Sequence, residues 1–246
     1  MKYFRISYRL IALIFLSVSG LVLMAIYGRR KESEVINQKQ KNIRQWWLKN
    51  VVSIVGVKLT IKGDTKHNQP SLWVANHISW LDIPVIGSEG SAFLSKAEVR
   101  KWPAIGWLGE KGGTVFIKRG GKNASQIASK KIAEAIKGGD NILIFPEGTT
   151  SNGAEMKRFH ARIFAPAIDH HLPVQSIAIR YLDESGNNHP KIAWGDESFM
   201  NNLMGILGCK TIHAELTFLP IIIGNQFSER RRIAEFAEKG VREIVG

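Results

Sequence analysis

The 246-residue chain carries 34 Lys and Arg against 21 Asp and Glu, a net charge of +13, with 44% hydrophobic and 22% charged residues. That is an ordinary globular composition, which excludes a disordered chain, and the single cysteine, Cys209, excludes a disulfide scaffold and a cysteine-clustered zinc site. Residues 1–58 hold 11 Lys or Arg against two Glu, +9 of the total, so the cationic charge flanks an apolar segment and favours an anionic membrane surface over nucleic acid as the partner.

In chain order, residues 10–27 (LIALIFLSVSGLVLMAIY) form an 18-residue run without a charge. As a helix it is about 27 Å long, enough to cross a hydrocarbon core of roughly 30 Å. The cations after it (Arg29, Arg30, Lys31, then Lys39, Lys41, Arg44) outnumber those before it (Lys2, Arg5, Arg9), which places the C-terminal side in the cytoplasm. A cleaved signal peptide is the competing reading, with Ser17-Val18-Ser19 as its small residues, but the apolar run continues beyond them. Residues 31–56 read as a basic amphipathic helix, with Ile43, Trp46, Trp47, Val51, Ile54 and Val55 at helical spacing, lying either in the membrane interface or against a core.

From residue 57 onward short apolar runs alternate with helical patterns. Strands are expected at residues 57–61, 71–75, 92–95, 114–118, 141–145, 174–179 and 210–219, and helices at 79–88, 96–108, 123–137, 158–170, 199–207 and 228–244. The expectation is an α/β fold with a mixed, largely parallel sheet covered by helices, behind an N-terminal membrane helix. The domains are then 1–30 (membrane anchor), 31–56 (interfacial helix) and 57–246 (catalytic-sized domain).

The strand at 71–75 runs into Asn76-His77-Ile78-Ser79-Trp80-Leu81-Asp82. An imidazole at a strand's carboxyl end, with a carboxylate five residues on, suits a general base and its orienting partner, while Ser79-x-x-Asp82 equally reads as a capping box at a helix start. No Gly-x-Ser-x-Gly elbow is present and Cys209 has no evident general-base partner in sequence, so direct attack by a bound hydroxyl fits better than a covalent acyl-enzyme. The strand before Lys118-Arg119 ends in two cations, able to hold a phosphate or simply to be solvated. Pro146-Glu147-Gly148-Thr149-Thr150-Ser151 demands a sharp turn at another strand's end. The remaining histidines show no metal-ligand spacing, and neither phosphate-binding nor dinucleotide-binding glycine loops occur. No metal and no cofactor are expected.

Taken in order, NHISWLD (Asn76 to Asp82), GTVFIKR (Gly113 to Arg119), FPEGTTS (Phe145 to Ser151) and the Leu172-Pro173-Val174 stretch resemble the four blocks of the lysophospholipid acyltransferase family, of the 1-acylglycerol-3-phosphate O-acyltransferase type. The resemblance implies transfer of an acyl chain from acyl carrier protein or coenzyme A, as co-substrate, to the free hydroxyl of a lysophospholipid, giving phosphatidic acid, at a bacterial-type inner membrane with the catalytic domain cytoplasmic. It makes His77 the base and Asp82 its partner, and assigns Lys118, Arg119, Glu147, Gly148 and Thr149 to binding the acceptor. Two positions depart from the pattern: Thr150 stands where many members have Arg, and Arg162 where a Gly is common. Ile192-Ala193-Trp194-Gly195-Asp196, with FPEGTTS, resembles lyso-ornithine lipid acyltransferases, whose acceptor has no glycerophosphate. The rival from another class is a noncatalytic membrane adaptor that keeps the blocks only as scaffold.

Overall fold

Runs such as Leu72-Trp73-Val74-Ala75 and Asn141-Ile142-Leu143-Ile144 leave no polar face for water, so their strands must be covered on both sides. In the computed structural model, which describes residues 1–28, 36–63, 69–117, 124–151, 153, 155–195, 197–223 and 225–246, they are. Leu72, Val74, Ile142 and Ile144 face one core, and Trp73, Ala75 and Leu143 face the other.

The strands are β1 (Val57–Gly63), β2 (Leu72–Ala75), β3 (Ser91–Lys96), β4 (Val115–Ile117), β5 (Asn141–Ile144), β6 (Val174–Leu182) and β7 (Ile212–Phe218). They form one seven-stranded sheet in the order β1-β7-β6-β2-β5-β3-β4, parallel at every pairing except the antiparallel β6/β7 pair. The mixed, largely parallel sheet expected from the sequence is thus present. The helices are α1 (Lys2–Tyr27), α2 (Gln38–Val55), α3 (Asp82–Gly87), α4 (Ile105–Lys111), α5 (Ala124–Lys137), α6 (Ala165–His170), α7 (Phe199–Leu207) and α8 (Arg230–Val245). α1, α2, α3 and α7 contribute to the core on one face of the sheet; α5, α6 and α8 contribute to the core on the other.

The helix expected at residues 79–88 is confined to α3, and two others are broken by 3₁₀ turns. Residues 96–108 split into a 3₁₀ turn (Ala97–Lys101) and α4, with Pro103 between them and Ala104 in a left-handed conformation at φ 61°. Residues 158–170 begin as extended chain and then a 3₁₀ turn (Ala161–Phe164) before α6, because the Phe159 N–H is taken by the Glu238 carboxylate of α8.

α1 is long and apolar enough to cross a membrane by length and composition, yet it does not stand apart from the domain. Arg9, Leu16, Gly20 and Met24 form a buried stripe along it. The Trp47 indole of α2 donates to the Leu16 carbonyl at 3.2 Å, and a Cβ at position 20 would sit 2.8 Å from the Trp47 ring, so the close approach requires glycine. Arg5 and Arg9 donate to the carbonyls of Gly208, Leu207, Cys209 and Lys210, the groups left without helical partners where α7 ends.

α2 opens with a capping box between Asn37 and Gln40, and the glycine at its end, Gly56, turns the chain into β1 at φ 85°. Its buried stripe is Gln40, Arg44, Leu48, Val51, Val52 and Val55, rotated from the stripe expected around Ile43 and Trp46. The reason is Arg44: its guanidinium grips both carboxylate oxygens of Asp140, at 2.7 and 2.9 Å, and donates to the Gly112 carbonyl at 2.7 Å. Arg9 and Arg44 are therefore internal fasteners and not part of a solvated basic collar.

Breaking the Arg44–Asp140 pair strands a buried cation. Asp140→Ala is expected to cost about 3–5 kcal/mol in chemical denaturation. Lys62→Ala, which removes the exposed end of a cross-strand pair with Glu215, is expected to cost less than about 1 kcal/mol.

Candidate active site

The register of β2 against β5 builds the site. Val74 lies opposite Ile144, so the residues three positions beyond each, His77 and Glu147, emerge side by side at the carboxyl ends of adjacent parallel strands, where α/β sheets commonly bind ligands. The His77 ring stacks on Phe145, centroids 3.9 Å apart and planes 9° from parallel, which fixes the plane of the imidazole. Its Nδ1 lies 2.8 Å from Asp82 Oδ2.

Asp82 is fully buried and its carboxylate is surrounded by donors. Oδ2 accepts the backbone N–H of Ile78 at 2.7 Å and of Ser79 at 2.9 Å besides facing His77, and Oδ1 accepts the hydroxyl of Tyr181 at 2.9 Å. An ionised carboxylate offers only lone pairs, so the His77 proton sits on Nδ1 and points at Asp82, leaving Nε2 as the basic nitrogen. Nε2 has no hydrogen-bond partner among the described residues. The capping-box alternative is not met: α3 begins at Asp82 itself, its N-cap is Leu81 without a side-chain cap, and the bond to the Ser79 N–H closes the turn that precedes the helix.

Glu147, expected to bind the acceptor, is buried, and its oxygens accept the backbone N–H of His77 at 2.7 Å and of Lys157 at 2.8 Å. Burial pushes its carboxyl up from the ordinary range, opposed by those two N–H donors. Gly148 turns the loop at φ 74°, with its N–H on the Phe145 carbonyl, and Gly148 and Thr149 are exposed beside the site. β4 ends at Ile117 on the same edge of the sheet; Lys118 and Arg119 themselves lie outside the described residues. The Pro173 carbonyl accepts the Leu72 N–H at the start of β2.

Three features of the site escaped sequence reasoning. The Ser151 N–H donates to the His77 carbonyl at 2.7 Å, locking the two catalytic-edge loops together. Trp194 lies across both: its N–H donates to the Ile78 carbonyl and its carbonyl accepts the Thr150 hydroxyl at 2.8 Å. The Trp80 and Trp194 rings each meet Phe199 of α7 edge-on, at 5.9 and 5.6 Å, forming an aromatic cap beside the turn. The third is Tyr181, whose signal was present: a tyrosine in phase with Ile177 and Ile179 on the inward face of β6 needs a buried partner for its hydroxyl. Among the described residues no cluster of His, Cys, Asp and Glu is arranged to hold a metal ion. What the arrangement can do is withdraw a proton from a hydroxyl brought to Nε2.

Residues 56–180 match the family described as Acyltransferase. A lyso-ornithine lipid O-acyltransferase of Pseudomonas aeruginosa is 35% identical over 237 residues, covering 96% of this chain and 90% of that protein. A 1-acyl-sn-glycerol-3-phosphate acyltransferase of Neisseria gonorrhoeae is 30% identical over 181 residues, covering 73% and 71%. The crystal structure of the 1-acyl-sn-glycerophosphate (LPA) acyltransferase from Thermotoga maritima shares the fold, with a TM-score of 0.63 at 19% identity over 96% of each chain. The family match spans both loops that meet at His77, and the likeness to the Pseudomonas protein runs through nearly the whole sequence. This chain belongs to the lysophospholipid acyltransferase family.

Proposed function

We propose that the protein is a membrane-associated O-acyltransferase whose acceptor is a lyso-ornithine lipid. The observation that carries the choice of acceptor is the 35% identity, over 96% of the chain, to a protein of that name. Relatives of the same name in Rhodobacter capsulatus and Brucella abortus, at 32% and 29% identity, support it. So does Thr150, which stands where many family members have Arg and whose hydroxyl donates to the Trp194 carbonyl. The second reading, 1-acylglycerol-3-phosphate as acceptor and phosphatidic acid as product, is favoured by the Neisseria relative and by Lys118 and Arg119 following β4.

In the proposed reaction the acceptor hydroxyl gives its proton to His77 Nε2 as its oxygen attacks the carbonyl carbon of an acyl thioester. The resulting tetrahedral adduct collapses, the carbon–sulfur bond breaks, and the imidazolium returns the proton to the departing thiolate of acyl carrier protein or coenzyme A. Asp82 stabilises the imidazolium between these steps, and stacking on Phe145 holds the ring still. Glu147 acts one shell out, fixing the backbone that carries His77.

The membrane is the reservoir of the acceptor. Tyr3, Phe4, Tyr8, Ile11, Ile14, Phe15, Val18 and Val22 are exposed on α1, and supply an outward apolar face for the bilayer while the opposite stripe stays on the domain. A cytoplasmic catalytic domain accords with this reading, since acyl carrier protein and coenzyme A thioesters are cytoplasmic donors.

Purified protein in mixed micelles, given labelled acyl donor and a panel of lysolipids, is expected to acylate lyso-ornithine lipid in preference to 1-acylglycerol-3-phosphate. The reverse preference moves the assignment to the second reading, and absence of any product favours the noncatalytic adaptor. His77→Ala is expected to lower turnover about 10²- to 10⁴-fold with the fold intact. Glu147→Gln is expected to lower kcat with little change in acceptor KM; on the second reading, Arg119→Ala raises the KM for 1-acylglycerol-3-phosphate more than it lowers kcat.

A further inference from the structure

Asp82 holds the His77 ring through one oxygen alone. Oδ2 faces Nδ1 and is itself pinned by two backbone N–H groups, so the geometry of the pair is complete without Oδ1. The other oxygen nonetheless receives a dedicated donor, the Tyr181 hydroxyl, from a strand on the far side of β2 in the core and 99 residues away in sequence. Tyr181 is buried among Ile177, Ile179 and Leu81, where phenylalanine would fill the same space without a hydroxyl to desolvate.

We infer that Tyr181 is a positioning residue of the acyl-transfer site, acting through Asp82 to set the pH at which His77 becomes competent as a base. A hydrogen bond to a carboxylate draws on its charge and makes it a weaker acceptor for the imidazolium on its other oxygen. With the phenol in place, His77 sheds its proton more readily and is ready to act at lower pH. Without it, Asp82 holds the imidazolium more firmly and the base comes into play only at higher pH. Among the described residues, the other ionisable group coupled to the pair is the Glu147 carboxyl on the loop after β5, whose hydrogen-bond partners are the backbone N–H groups of His77 and Lys157 and not the Tyr181 hydroxyl. Replacing the phenol therefore leaves the partners of Glu147 in place.

The inference rests on the acyl-transfer reading, and its test has an arm that needs no turnover. In full-length protein in micelles, the pH midpoint of the His77 ring resonances is followed by NMR, alongside the acid limb of kcat/KM against pH. Tyr181→Phe is expected to move both upward by about half to one pH unit, the size expected for one net hydrogen bond. Replacing the tyrosines by 3-fluorotyrosine makes the phenol a stronger donor and is expected to move both downward; it also covers the case in which the phenylalanine variant does not fold. The other tyrosines, Tyr3, Tyr8 and Tyr27, are exposed on α1, so the substitution acts on the site through Tyr181 alone. Midpoints that coincide with the wild type, or that move in the opposite sense, overturn the inference and leave Tyr181 as packing. A wild-type protein that makes no product overturns the acyl-transfer reading instead, while the NMR midpoints still report on Tyr181.

Discussion

The site depends on one buried carboxylate. A fully desolvated Asp82 would be costly to ionise unless its lone pairs were met, and four donors from two places in the chain meet them: the imidazole and two backbone N–H groups of the β2–α3 turn, and a phenol from β6. That requirement explains why the turn after β2 is shaped as it is. Ile78 and Ser79 must aim their N–H groups inward, which turns the chain into α3 and swings His77 outward to the edge of the sheet.

The second support is the parallel pairing of β2 and β5. Because both strands end at the same level, the loops that follow them can bond directly: Glu147 to the His77 N–H, Ser151 N–H to the His77 carbonyl. His77 is thus held by ring, by N–H and by C=O, an arrangement suited to a group whose proposed task depends on fixed alignment. α8 adds a third support from behind, with Glu238 on the Phe159 N–H and Arg242 on the Met156 carbonyl, steadying the segment that leads away from the catalytic loop.

Much of this was legible in the sequence. Each expected strand has its counterpart: central strands such as β2 and β5, buried on both faces, read as unbroken apolar runs, β7 alternates buried and half-buried residues, and the His77–Asp82 pairing followed from a strand end and a five-residue spacing. What the sequence concealed was the destination of its charges. Arg9 and Arg44 look identical in sequence to the solvated cations beside them, and only the three-dimensional neighbours, three carbonyls in one case and Asp140 in the other, explain their burial. Glu147 was misleading for the same reason: a carboxylate in a motif suggests a ligand contact, whereas both of its oxygens are engaged by the backbone. Tyr181 lies outside the four blocks altogether and is joined to the site only by the sheet.

The bonds from Arg5 and Arg9 to the end of α7 join residues 198 to 203 positions apart. They tie α1 to the same sheet whose strand ends carry His77, so the exposed apolar face of α1 and the mouth of the site keep one fixed orientation. A bilayer that engaged the first would thereby aim the second.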